Sequence, residues 1–175
     1  MIRNRYLHAA ADISQDGKYR FSLTRQLQHG TRVVLFIGLN PSTAGALTDD
    51  PTVRRCVGFA RRWNFDCVLL GNLHALRSTD PKQLVLSPDP SGPSNEASLR
   101  DLAGRAELVV AAWGSHWRHP KAEQLARWIV SLPHTKCLGQ NRDGCPKHPL
   151  YLAGRTRLRK LSHRSPVDVS AALNE

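Results

Sequence analysis

Acidic residues are scarce in this sequence. Only 14 Asp and Glu stand against 25 Lys and Arg in 175 residues, a formal net charge of +11, and a polyanion is the natural partner of such a surface. The excess is concentrated in 142–164, where Arg142, Lys147, Arg155, Arg157, Arg159, Lys160 and Arg164 face the single acid Asp143. A basic surface also serves solubility or draws a chain to anionic lipid, but clustering of this kind favours phosphates. Paired cysteines are missing too. Cys56, Cys67, Cys137 and Cys145 form no C-x-x-C, and the spacing of Cys137, Cys145 and His148 is not that of a zinc knuckle or an iron–sulfur site, so ordinary thiols are expected, with no metal and no cofactor. No signal peptide or transmembrane run precedes them, from which a reducing cytoplasm and no membrane partner are expected. There are no repeats or low-complexity tracts, and the length suits one domain, 1–175, built on one sizeable core and expected to be a monomer.

The chain has instead short apolar runs that stop abruptly in polar loops. In Val33-Val34-Leu35-Phe36-Ile37-Gly38-Leu39-Asn40-Pro41-Ser42 an apolar run gives way to a glycine, an amide, a proline and a hydroxyl. Such a run suits the centre of a parallel sheet covered on both faces, and ligands of these sheets gather at the strands' carboxyl ends. Cys67-Val68-Leu69-Leu70 leading to Gly71-Asn72 repeats the pattern. So does 108–112, which closes in Trp113-Gly114-Ser115-His116, and 135–138 forms a short fourth strand. Helical signals lie between: Asp50 and Pro51 open a helix over 51–63, Ser94 caps one reaching Arg105, and Pro120 opens one running to residue 131. Within 1–32 the turn Gln15-Asp16-Gly17 and the alternating Tyr19-Arg20-Phe21-Ser22-Leu23 predict a hairpin or edge strand. Residues 153–175 read as a basic tail with one helical turn near Pro166. Strands alternating with helices predict an α/β fold, a sandwich with a mostly parallel central sheet, with Val34, Leu35, Ile37, Val68, Leu70, Val109, Val110 and Leu138 in its core.

The polar strand ends suggest chemistry. Asn40 cannot act as a strong base, but it can position a water. Asn72 offers donor and acceptor from one planar group, as the edge of an unstacked base requires. His148 can donate a hydrogen bond to an oxygen that gains negative charge. Asp50 divides between helix cap and site residue, while Asp49 is free to orient water or pair with Arg77. Arg54, Arg55, Arg61 and Arg62 fit a solvated helix face as well as phosphate contact.

The motifs LNPSTA at 39–44, DDPT at 49–52 and HPLYL at 148–152 resemble the marks of an uncharacterised bacterial protein family, a likeness that covers most of the chain. More distantly, four landmarks in order resemble the uracil-DNA glycosylase superfamily. Gly38-Leu39-Asn40-Pro41-Ser42 is similar to its water-activating loop, Leu69-Leu70-Gly71-Asn72 to its base-reading strand end, Ala112-Trp113-Gly114 to its third strand end, and His148-Pro149 to the start of its leaving-group loop. The resemblance implies a three-layer α/β/α sandwich and a DNA glycosylase-like N-glycoside hydrolase acting on a flipped or modified base in DNA. Asn40 would hold the attacking water, Asn72 would read the base and His148 would stabilise the departing base, with Asp49 as a further catalytic candidate. Gly38, Leu39, Pro41, Ser42, Arg77 and Trp113 would complete the substrate site, and Arg54, Lys147, Arg155, Arg157, Arg159 and Lys160 would hold nucleic acid. Phe59, Trp63 and Trp117 are candidates for the aromatic that stacks on the base. Leu150, Tyr151 and Leu152 depart from the small or polar residues that usually follow His-Pro, and neither the acid pair Asp49-Asp50 with Arg54 nor the segment 74–80 has a good counterpart. These departures point to a modified or bulkier base, or to a site that binds nucleotide without cleaving it. Two other readings remain: a non-catalytic nucleic-acid-binding module on the same fold, and a nucleotide- or nucleoside-processing enzyme, which has no need of a cationic tail.

Overall fold

The computed structural model describes residues 5–116 and 118–161. Trp117, Arg164 and the helical turn expected near Pro166 lie outside the described residues. In chain order the elements are β1 (His8–Ile13), β2 (Arg20–Gln26), β3 (Val33–Gly38), α1 (Pro51–Arg62), β4 (Cys67–Asn72), α2 (Lys82–Leu86), α3 (Asn95–Arg105), β5 (Leu108–Ala111), α4 (Pro120–Ser131), β6 (Thr135–Cys137) and β7 (Arg159–Lys160), with a 3-10 turn at Pro149–Tyr151 before β7.

The apolar runs do become the central strands. Because successive side chains of a strand point to opposite faces, a continuous apolar run needs cover on both. Val34 and Phe36 of β3, Val68 and Leu70 of β4 and Val110 of β5 pack with Val53, Cys56, Val57, Phe59 and Ala60 of α1. Leu35, Ile37, Leu69 and Val109 pack on the other face with Leu99 and Leu102 of α3 and Leu125 and Ile129 of α4. All eight residues expected in the core are buried, and each such side chain stabilises the fold by about 1.5–3 kcal/mol relative to exposure.

The sheet is mixed rather than mostly parallel. Its order is β1-β2-β4-β3-β5-β6-β7. β3 is parallel to both β4 and β5, and β5 to β6, whereas β1 with β2, β2 with β4, and β6 with β7 run antiparallel. The N-terminal hairpin is the main reason: β2 does not close the sheet but joins β4 through Leu23 opposite Leu70 and Thr24 opposite Leu69, carrying β1 beyond it. The basic tail supplies the third antiparallel pairing by returning along β6 as β7.

Helix ends follow local chemistry. Asp50 accepts a hydrogen bond from Val53 N at 2.8 Å with Pro51 at the first helical position, and Asn64, at φ 56°, ends the turn after α1 in the left-handed conformation that Asn tolerates. Ser94 precedes α3 but its hydroxyl does not cap it. The short α2 is an element that the sequence pattern did not single out. No helix among the described residues is long and apolar enough to cross a membrane.

Connectivity opens the site. The chain leaves β3 for α1 on one face, reaches β4, then returns through α2 and α3 on the other face to β5 on the far side of β3. Loops after β3 and β5 therefore diverge to opposite faces, and a crevice opens between them at the carboxyl ends of the strands.

Candidate functional site

A cavity of about 510 Å3 fills that crevice, a size that suits a small organic ligand. Gly38, Leu39, Asn40 and Ser42 from the end of β3, Asn72 from β4, Trp113 after β5, and Lys147 and His148 all line it. Four polar strand or loop ends, distant in sequence, are thus brought to one place.

Asn40 is held by its own neighbours. Its Nδ2 donates to the carbonyls of Pro41 at 3.0 Å and Ser78 at 2.9 Å, leaving Oδ1, an acceptor, as its uncommitted polar atom. Asn72, 7% exposed, stands beside Gly38 in the parallel register of β3 and β4, and its side-chain amide has no hydrogen-bond partner among the described residues. Glycine at 38 leaves room for that amide: a Cβ there would lie 2.8 Å from Asn72 Oδ1 and displace it. Gly114, at φ 74°, turns the chain after Trp113 in a conformation few other residues adopt.

His148 caps the 3-10 turn. Its Nδ1 accepts from Leu150 N at 3.3 Å, so in the neutral ring the proton sits on Nε2. Burial holds the imidazole pKa below its ordinary value, against the opposing pull of Asp50. The ring also leans on Tyr151, centroids 5.7 Å apart, and Tyr151, though 83% exposed, lines the cavity.

Of the two adjacent acids, the sequence put Asp49 forward for the chemistry and divided Asp50 between helix cap and site. Asp49 does not line the cavity. Its carboxylate takes Arg25 Nε at 2.9 Å and the Tyr6 hydroxyl, whose pKa burial and Asp49 push up to about 12. Arg25 is fully buried, and its Nη2 binds the carbonyl of Gly45 at 2.6 Å, so the ion pair fastens the loop after β3 to β2. Asp50, buried at 8%, caps α1 and also lines the cavity. Arg77, proposed as a partner of Asp49, instead donates to Gly17 O at 3.1 Å, and neither it nor Pro41 lines the cavity; Pro41 acts through the carbonyl that holds Asn40.

Arg20 went unrecognised. It lines the cavity while only 4% exposed, donates through Nη1 to Ala44 O at 2.7 Å, and keeps a buried Nε without a partner. Burial lowers its pKa to about 10, with Asp50 pulling the other way, yet no ion pair joins the two. The only signal in sequence was a charged residue opening an otherwise alternating strand. A buried cation with so few partners is expensive unless something else engages it.

Of the expected stacking aromatics, Phe59 is buried against α1's own core and Trp63 packs on Phe36 and Phe59 at 6.0 and 5.3 Å. Phe36, Trp113 and Tyr151 are the cavity's aromatics instead. Arg54 lies outside the cavity, its Nη1 bound to Asp49 O at 2.7 Å. Arg155, Arg157, Arg159 and Lys160 are exposed and likewise outside it. No group of three or more His, Cys, Asp or Glu among the described residues is arranged to hold a metal ion.

The chain belongs to the family described as Protein of unknown function (DUF1643), whose sequence model matches residues 20–150. That span includes Arg20, Asn40, Asp50, Asn72, Trp113 and His148. No curated protein and no solved structure matches the chain.

Proposed function

We propose that this member of the DUF1643 family is a DNA glycosylase-like N-glycoside hydrolase, built as an α/β/α sandwich of the uracil-DNA glycosylase type and acting on a base turned out of DNA into the cavity. The observation that carries this reading is the convergence of Asn40, Asn72, Trp113 and His148 on one cavity of about 510 Å3. The basic charge adds the polyanion.

In this reading each group does what its hydrogen bonds leave it able to do. Asn40, with both Nδ2 hydrogens committed, accepts from a water through Oδ1 and orients it toward the sugar carbon. The Asn72 amide, with no internal partner, reads the base edge by donating and accepting at once. Water adds to the sugar carbon as the glycosidic C–N bond breaks, the electron pair leaves with the base, and the proton that the water loses ends on the departed base anion. His148, neutral because buried, donates from Nε2 to the oxygen of the departing anion; such a donor is worth about 3–4 kcal/mol at the transition state. Asp50, which lines the cavity where Asp49 does not, sets a carboxylate beside the sugar as positive charge develops there.

The test is strand scission at abasic sites after incubation with oligonucleotides carrying uracil, hypoxanthine, xanthine or modified cytosines. Asn40→Ala and His148→Ala should each slow base release by roughly 100-fold or more with DNA affinity nearly unchanged, because both act in the transition state. Asn72→Asp should change which base is accepted or abolish recognition. Salt-sensitive binding without abasic product from any base would move the assignment to a non-catalytic nucleic-acid module; absence of binding would move it to a nucleotide- or nucleoside-processing enzyme.

A further inference from the structure

We propose that a second concavity, on the other side of the 149–151 turn, is a groove that binds the phosphodiester backbone of a nucleic-acid strand. It measures about 400 Å3 and is lined by Arg54, Arg55, Gly58 and Arg62 of α1 on one side and by Leu150 and Gly154 on the other. This rests on the reading that a base enters the neighbouring cavity, and gives its strand a place to lie.

Among the described residues three arginines line the groove and no carboxylate does. Residues 54, 58 and 62 follow at intervals of four, so they share one face of α1, and 55 lies beside them. Arg54 is tethered to the Asp49 carbonyl, whereas Arg55 and Arg62 have neither a hydrogen bond nor an ion pair among the described residues. A planar guanidinium fork with no internal partner matches phosphate oxygens.

Asp50, Pro51 and the last-turn Arg61 and Arg62 suit the helix, but two features on the groove face do not. Arg54 and Arg55 stand in its N-terminal half, where the macrodipole disfavours cations, and its first turn holds no acid. Gly58 sits exposed in the helix interior, where glycine is a poor helix former, and a Cβ built there meets nothing within 4 Å. The missing side chain keeps the floor of the groove bare. Two local choices that weaken a helix on the same face are where a function is expected to be found.

The groove is continuous with the candidate site. Leu150 lines the groove, while Pro149 and Tyr151 line the cavity, so a single 3-10 turn forms the wall between them. A nucleotide whose base occupies the cavity therefore has its flanking backbone beside a face to which the described residues bring three positive charges and no negative one. That charge pattern selects a polyanionic strand over a neutral or mixed-charge protein surface.

The experiment measures binding of the full chain to fluorescent single-stranded and duplex oligonucleotides by anisotropy across about 50–200 mM salt. Replacing Arg55 and Arg62 together by Ala should flatten the plot of log affinity against log salt by about 1.8 for duplex or 1.4 for single strand, two contacts at about 0.9 or 0.7 each. Gly58→Glu should weaken binding by about tenfold or more by placing a like charge against the phosphates. Gly104→Glu is the control: it makes the same charge change on α3, at a glycine with equally open surroundings, and should leave affinity within twofold of wild type. Circular dichroism checks that all variants fold. If the wild type binds with a steep salt dependence and both groove variants match it, the groove is overturned while the cavity reading stands. If the wild type binds no oligonucleotide, both fall. If Gly58→Glu abolishes capture by phosphatidylserine vesicles but leaves oligonucleotide binding intact, the face belongs to a lipid surface and the proposal is overturned. Loss of base release with binding retained in Asn40→Ala, alongside weakened binding in Gly58→Glu, supports cavity and groove separately.

Discussion

Asp49→Ala separates the tasks that two adjacent acids divide. In the folded protein the Arg25 guanidinium is wholly buried, and its only anionic partner among the described residues is Asp49, whose side chain is 8% exposed and lies 2.9 Å from Nε. Removing one member of a buried ion pair costs about 3–5 kcal/mol, because the other charge stays behind without compensation. Arg25 keeps the carbonyls of Thr24 at 2.9 Å and Gly45 at 2.6 Å, which places the loss at the low end, about 3 kcal/mol. For a chain of this size about 1 kcal/mol lowers Tm by roughly 2–4 °C, so a fall of about 6–12 °C is expected. Adding Arg25→Met should restore part of the loss, with a coupling energy of at least about 1 kcal/mol in the double-mutant cycle. The assay is thermal and urea unfolding followed by circular dichroism, with base release measured below the lowered Tm. A Tm within about 2 °C of wild type, together with abolished base release, would refute the structural role and return Asp49 to the chemistry.

Gly38→Ala places a methyl where Asn72 Oδ1 now lies; because that amide has no internal partner it should swing aside, so base release should fall sharply while Tm moves by only a few degrees, as thermal melts and the oligonucleotide assay can compare. His74 is fully buried and burial lowers its pKa to about 4. The unfolded chain therefore takes up the proton first as pH falls, and the stability present above about pH 6.5 is lost progressively towards pH 4, by about 3 kcal/mol in all. Urea midpoints at pH 7.5, 5.5 and 4.5 measure this slope, which His74→Gln should flatten; His148, lowered in the same direction, adds to it in both proteins.

The central strands were legible because burial on both faces demands unbroken apolar runs, and the residues ending those runs, Asn40, Asn72, Trp113 and the loop residue His148, meet in the cavity. What could not be read depended on partners far along the chain. β2 carries Phe21, Leu23 and Arg25 at alternate positions, and an arginine ending that stripe looks like a solvated edge until the loop around Asp49 closes over it. Asp49 and Asp50 are equivalent as letters, but successive side chains on extended backbone, here φ −82° and ψ 171° at Asp50, project in different directions. Which one enters the cavity is decided by how Arg25 holds the loop. Arg20 reads as an ordinary polar position of the alternating strand, with nothing to mark it as buried, and β7, two residues long, is too short to leave a pattern.

The two flanks of the sheet end differently. On one side β7 offers only Arg159 and Lys160, with Lys160 opposite Lys136 in register, a short cationic margin that repels any strand seeking to extend the ladder. On the other, β1 presents six residues, His8–Ile13, three of them alanine and one charged, and among the described residues it pairs with nothing beyond β2. Among the described residues, growth of the sheet by a strand from another molecule is thus discouraged at one margin and left open at the other, which gives any such pairing a direction.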